Sequence, residues 1–110
     1  MQFSYLNETI IDAPYTFANL KKLLGTVCNK ENKYSHFEFA KWCDNLTMIF
    51  EEEDLNEYDL TWFTIARDIE CQWDLYLLDP HSKKILQSLD INQVSLPQEW
   101  FLEWFNQLKN

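Results

Sequence analysis

Residue types suited to metal or nucleophile chemistry are few in this sequence. Its cysteines, Cys28, Cys43 and Cys71, each lie in an apolar or amphipathic stretch, which predicts reduced and buried thiols. Neither His36 nor His81 has a cysteine or a second histidine at the spacing of metal ligands. A single glycine rules out a phosphate-binding loop and a dinucleotide fingerprint. We therefore predict no catalytic residue, no metal site and no cofactor.

Carboxylates, in contrast, are abundant: the 110 residues include eighteen Asp and Glu against nine Lys and Arg, a net charge of −9. Because so many acids lie near one another by chance, a pair of them does not identify an acid–base site. We interpret Arg67, Asp68 and Glu70 as a local ion pair on a solvated helix face. The range 38–74 carries eleven acids against two bases, so its balance of −9 equals that of the whole chain. The sequence thus predicts a protein with one acidic side.

The densest part of this range, residues 51–59, holds six acids and no base, and we call it the acidic segment. It falls where a second helix should end and a third begin, so its first acids oppose the dipole of the second helix and repel one another. A solvated turn between helices is one interpretation of this segment. The other is a surface that attracts a basic protein. On that interpretation the partner-binding residues are Glu51, Glu52, Glu53, Asp54, Glu57, Tyr58 and Asp59.

Aromatic residues near the acidic segment have two candidate roles, since aromatics beside charges are typical of binding hot spots and large aromatics also fill cores. Trp62 lies on the apolar stripe of the third helix, which favours the core. Tyr58 begins that helix, and both roles stay open for it. Trp42 is a further candidate for the binding surface.

The composition predicts a mainly α fold, with about four helices in one compact bundle and a single domain spanning 1–110. Apolar residues make up 46% of the chain, enough for one core, and one glycine and three prolines leave few residues for tight turns. The first helix is predicted to start near Pro14 with Asp12 as its cap, and the second to follow the cap Ser35. The last is predicted to open with Ser95 as its cap.

The stretch 56–78 fits two periods. Its apolar residues recur at intervals of three and four, which favours one long buried helix. The alternative is an α+β fold with a hairpin near 72–90, because 61–65 and 73–78 are rich in β-branched and aromatic residues. We favour the helix, since the residues between these two segments lack the alternation of a strand.

The sequence also predicts the cellular compartment and the class of partner. No stretch approaches the roughly 18 consecutive apolar residues of a membrane span. The first twelve residues lack the basic and apolar regions of a secretory signal, so we expect a cytosolic protein. Its acidic field should repel nucleic acids and anionic membranes, whose phosphates carry the same charge. The expected partner is therefore a basic protein.

In its small size, its aromatic richness and its acidic segment, the chain resembles the cytosolic immunity proteins of bacterial toxin systems, such as contact-dependent growth inhibition and the nuclease colicins. The resemblance is one of class, without a shared motif. It implies a non-enzymatic protein that neutralises a basic, nuclease-type toxin domain by covering its active site or a nearby site. Two alternatives stay open: a phage-type inhibitor that mimics nucleic acid, as anti-CRISPR proteins do, and a small enzyme that uses a carboxylate pair.

Overall fold

The computed structural model describes residues 6–28, 34–78, 91 and 94–109. The helices in these ranges are α1 (Phe17–Val27), α2 (His36–Phe50), α3 (Glu57–Leu78) and α4 (Gln98–Lys109). The described part of the chain contains no strand, so the prediction of a mainly α bundle of about four helices is confirmed. Residues 72–78 of the alternative hairpin are helical, and the rest of that hairpin lies outside the described residues. No helix in the described ranges has the length and apolar character needed to cross a membrane.

None of the fifteen residues of the second helix, α2, is exposed: eight are buried and seven are half-buried. Its core face has no solvent-accessible surface at Phe39, Trp42 and Leu46. Ser35 caps the helix as predicted, because its hydroxyl accepts the amide N–H of Glu38 at 3.1 Å. Every other described element therefore packs around this helix or beside it.

The third helix, α3, covers one side of α2 with a stripe at helical spacing. Its buried residues are Trp62, Ile65, Ala66, Ile69 and Trp73. The threonines that favoured a strand are accommodated in the helix, since Thr61 and Thr64 donate their hydroxyls to the carbonyls of Glu57 and Leu60, four residues earlier. Burial of the stripe therefore outweighs the local β propensity.

The first helix, α1, begins later than predicted. Its N-cap is Thr16, whose hydroxyl accepts the amide N–H three residues on, so the predicted start near Pro14 with Asp12 as cap is wrong. The indole N–H of Trp42 donates to the carbonyl of Ala13 at 3.2 Å. This hydrogen bond holds the chain just before α1 against α2, and α1 begins only after it.

The last helix, α4, packs against α1 and begins at Gln98, three residues after the predicted cap Ser95. The amide of Gln98 donates to the carbonyl of Cys28 at the end of α1. The helices approach closely at Gly25, where a Cβ would lie 3.2 Å from a ring carbon of Phe105. The single glycine of the chain thus makes room for an aromatic side chain.

The N-terminal segment, residues 6–16, runs beside α2 in a non-helical course. Asn45, which has no exposed surface, pairs with both backbone groups of Asn7: its Oδ1 accepts the amide N–H at 2.7 Å and its Nδ2 donates to the carbonyl at 3.0 Å. Glu38 and Trp42 lie on the same face of α2 and bind further groups of the segment. Side chains of α2 therefore satisfy backbone groups of the N-terminal segment. In a β-sheet, a neighbouring strand would satisfy such groups.

We expect Asn45→Ala to lower the free energy of unfolding by about 1–3 kcal/mol, because the part-buried hydrogen bonds of its side chain to the backbone of Asn7 and to the hydroxyl of Tyr15 are lost. Urea titration measures this loss, and hydrogen exchange should show faster exchange in the N-terminal segment than in α3. Asn45→Asp keeps the acceptor but places a buried carboxylate oxygen against the carbonyl of Asn7, so it should lose at least as much. Unchanged exchange at residues 6–16 in the alanine variant would contradict this role.

His36, the first residue of α2, contacts the chain that leads into α4. Its Nδ1 accepts the amide N–H of Leu96 at 2.8 Å, and its ring lies 4.4 Å from that of Phe101. Burial lowers the pKa of His36 from 6.5 to about 4. Because Nδ1 accepts only when it is unprotonated, the contribution of His36 to stability is complete above pH 6.5 and is lost as the pH falls towards 4.

Replacing His36 by Asn removes the titrating group and leaves an oxygen near the position of Nδ1, whereas His36→Phe removes the acceptor. At pH 7.5 we expect the Phe variant to lose about 1–3 kcal/mol and the Asn variant less. Between pH 6.5 and 4 the stability of the wild type should fall towards that of the Asn variant. Parallel pH profiles of unfolding free energy would show that His36 does not titrate in this way.

Candidate functional site

The acidic segment begins where the burial of α2 ends. Glu51 is the C-cap of α2, and all residues from Glu51 to Asp54 are exposed. The side chain of Asn56 then accepts the amide N–H of Asp59 at 2.8 Å and starts α3. Glu57 is exposed and Asp59 half-buried, both in the first turn, where the helix dipole favours acids. The predicted residues therefore lie on the connection between α2 and α3 and on the first turn of α3.

One cation among the described residues lies near the acidic segment. A guanidinium nitrogen of Arg67 is 3.9 Å from Glu51 Oε1, and both side chains are about half exposed or more. The local ion pair predicted for Arg67 with its neighbours is therefore wrong, because Asp68 instead accepts the indole N–H of Trp104 at 2.7 Å. An exposed pair at this distance contributes little, so most of the segment's charge stays uncompensated.

Tyr58 is the aromatic residue that the segment presents to solvent, with 60% of its surface exposed. Its ring lies 5.1 Å from that of Trp62, which is 7% exposed and belongs to the core. Trp62 in turn meets Phe17 of α1 edge to face at 6.3 Å. Trp42 has no exposed surface, so its candidacy for the binding surface is wrong. Tyr58 is thus an exposed ring supported from below by the core.

A second group of acids lies on α2 and α3. Asp44, Glu70 and Asp74 lie close enough that the pKa of Glu70 is raised, first by burial, then by the charge of Asp44 and by a hydrogen bond and charge from Asp74. The amide of Asn7 donates to Asp44 at 2.8 Å. The acidic side of the protein is therefore wider than the acidic segment.

The cysteines and histidines do not form a reactive centre in the described chain. Cys43 is buried and Cys28 half-buried, but Cys71 is exposed on α3, so the prediction of a buried thiol is wrong there. Partial burial and the neighbouring Glu70 raise the pKa of Cys71, which opposes thiolate formation. His81 lies outside the described residues. Within those residues no three His, Cys, Asp or Glu side chains are placed to hold a metal ion.

An enzyme that uses a carboxylate pair needs a cavity beside a perturbed carboxyl group. Two cavities of about 180 and 250 Å³ lie between α3 and α4. Glu70, whose pKa is raised, lines neither of them. The geometry therefore gives this alternative no support at those cavities.

Comparison with known proteins finds no matching family model, no matching curated protein and no matching solved structure. Arguments about function consequently rest on the chain's own residues.

We expect Glu70→Gln to raise the free energy of unfolding by about 0.5 kcal/mol at neutral pH, the size of a like-charge contact one helical turn apart. The raised pKa of Glu70 means that its ionised form is disfavoured in the folded protein, so the gain should vanish below pH 4.5. Thermal unfolding at pH 7.5 measures the gain in stability, and thermal unfolding at pH 4 measures its disappearance. Glu103→Gln on α4 controls for the loss of one negative charge, and an equal gain there would contradict a local cause.

Proposed function

We propose that this chain is a cytosolic, non-enzymatic binding protein whose acidic segment docks on a basic protein. The observation that carries the proposal is the exposure of Glu51, Glu52, Glu53, Asp54 and Glu57 beside a single described cation, Arg67. Such a concentration of charge raises the encounter rate with a basic surface by one to three orders of magnitude. Packing of the two flanking helices holds the segment in place against its own repulsion.

Tyr58 supports this function as the centre of the contact surface. An exposed aromatic ring that rests on a buried one has little side-chain entropy left to lose on binding. Tyrosine is enriched among residues that dominate binding energy, and acids around it supply a polar rim. The segment thus combines long-range attraction with one short-range anchor.

The partner class follows from the charge. A nuclease-type toxin domain has a basic surface because it holds nucleic acid, and an acidic protein of this size would cover that surface and exclude the substrate. We therefore propose neutralisation of such a toxin by occlusion, in the manner of the immunity proteins that the chain resembles.

A second candidate, a mimic of nucleic acid that blocks another basic channel, is favoured by one observation. Asp44, Glu70 and Asp74 form a second group of neighbouring acids on α2 and α3. A mimic of nucleic acid should bind its target through this second group as much as through the acidic segment. An immunity protein that binds through the compact surface around Tyr58 should not need the second group. Glu70→Gln with Asp74→Asn distinguishes the two functions by its effect on binding.

The test begins with capture of the partner from the source cell and measurement of association and dissociation rates with purified proteins. We expect the triple change Glu52→Gln, Glu53→Gln and Asp54→Asn to slow association about tenfold at low salt and less at physiological salt. Tyr58→Ala should speed dissociation about thirtyfold, the size of a hot-spot loss, while Tyr58→Phe keeps the ring and most of the affinity.

A matched control removes three exposed acids elsewhere, with Glu8→Gln, Asp12→Asn and Glu99→Gln. Both triple variants and Tyr58→Phe should unfold within about 0.5 kcal/mol of the wild type, whereas Tyr58→Ala also loses its ring contact with Trp62. If both triple variants slow association equally, net charge rather than the acidic segment attracts the partner. A rate insensitive to salt contradicts steering altogether.

A further inference from the structure

A groove lies between α3 and α4, and none of its lining residues belongs to the acidic segment. Its two cavities, of about 180 and 250 Å³, share Asp68 and Gln107 in their walls. The smaller cavity is lined by Asp68, Gln72, Trp100, Glu103, Trp104 and Gln107. Two carboxylates, two indoles and two side-chain amides therefore face one cavity, and none of its lining residues is a Lys or Arg.

The carboxylate of Asp68 is held in a fixed orientation. The indole nitrogen of Trp104, a residue only 5% exposed, donates to Asp68 Oδ2 at 2.7 Å. No described cation lies within ion-pair distance of Asp68 or Glu103. Arg67 lines the larger cavity, but its guanidinium lies 5.1 Å from the ring of Phe63 and 3.9 Å from Glu51. The smaller cavity thus has negative charge without a described counterion.

The half-buried indole of Trp100 supplies a surface for a flat cation, and the buried Trp104 supports it. Trp100 and Trp104 have ring centroids 6.4 Å apart at an angle of 75°, so they form a corner beside the carboxylates. Indole faces attract cations more strongly than other aromatic rings do. A guanidinium stacks on such a face and directs planar N–H donors to carboxylates and amide oxygens, whereas an ammonium group is a strongly hydrated point charge.

We propose that the smaller cavity of this groove binds an arginine side chain of a basic protein partner. Asp68 and Glu103 neutralise the guanidinium, the half-buried indole of Trp100 stacks with it, and Gln72 and Gln107 accept its remaining N–H groups. The inference rests on the proposed function for the protein nature of its occupant. The test of this inference does not require the partner, so its failure can be distinguished from a failure of the proposed function.

The test is a titration of the ¹⁵N-labelled protein with acetyl-Gly-Arg-Gly-amide in about 150 mM salt, followed through the indole N–H signals of Trp100 and Trp104. We expect saturable shifts with a Kd in the millimolar range, roughly 1–10 mM. The citrulline peptide, which has the same shape without the charge, should give no shifts, and the lysine peptide should bind several-fold more weakly.

Asp68→Asn keeps an acceptor for the indole of Trp104 and removes the charge, and it should weaken binding about tenfold. Glu103→Gln should do the same. Glu99→Gln removes an equal charge from α4 at a residue that does not line the smaller cavity, and it should leave the Kd unchanged. Equal binding of the lysine peptide, equal weakening by Glu99→Gln, or shifts that never saturate would each overturn the proposal. Unchanged arginine binding after Glu52→Gln, Glu53→Gln and Asp54→Asn would show that the groove acts apart from the acidic segment.

Discussion

The structure depends on one helix, α2, of which no residue is exposed. Since no residue of α2 is exposed, charges within it must be paired, as Glu38 is with Lys41 at 2.9 Å, or lie at its margin, as Asp44 does. The first residues free to meet solvent follow its C-terminal end. There the chain places consecutive acids, and the dipole of the buried helix adds to their negative field. The site proposed for binding is thus a consequence of how the core is filled.

Packing supplies the energy that keeps this repulsive connection in place. At the same end of the bundle, Phe17, Phe50 and Trp62 come from three different helices and meet at centroid distances of 4.9 and 6.3 Å. Contacts between aromatic rings contribute about 0.5–1.5 kcal/mol each beyond the area they bury. Tyr58 rests on the outer side of this cluster, so the anchor proposed for the partner and the anchor of the fold are in contact.

Much of this arrangement was predictable from spacing alone, because period and capping are local properties. The long helix α3 and the cap Ser35 follow from neighbouring residues, and the acidic segment is visible in the sequence itself. The start of α1 was not predictable, since it depends on Trp42 reaching Ala13 across the fold. The exposure of Cys71 had a signal: it lies two positions from Ile69 on a helix, which turns it away from the buried stripe.

The contacts that sequence reasoning missed join residues far apart in the chain. Arg67 approaches Glu51 across sixteen positions, and Trp104 binds Asp68 across thirty-six. Neither spacing carries a local signal, because side chains interact along a helix only at separations of three or four residues. Prediction therefore succeeded for elements and exposed charge and failed for the tertiary partners of single side chains.

The most direct test of the central claim is site-specific photo-crosslinking. A benzoylphenylalanine at position 58 keeps an aromatic ring in the proposed contact, and the same residue at exposed position 26, at the far end of α1, serves as the control. In the source cell, position 58 should capture one basic protein, and in a lysate of that cell raised salt should reduce the capture. Equal capture from both positions, or a captured partner without a basic surface, would contradict the assignment of this acidic end as the binding surface.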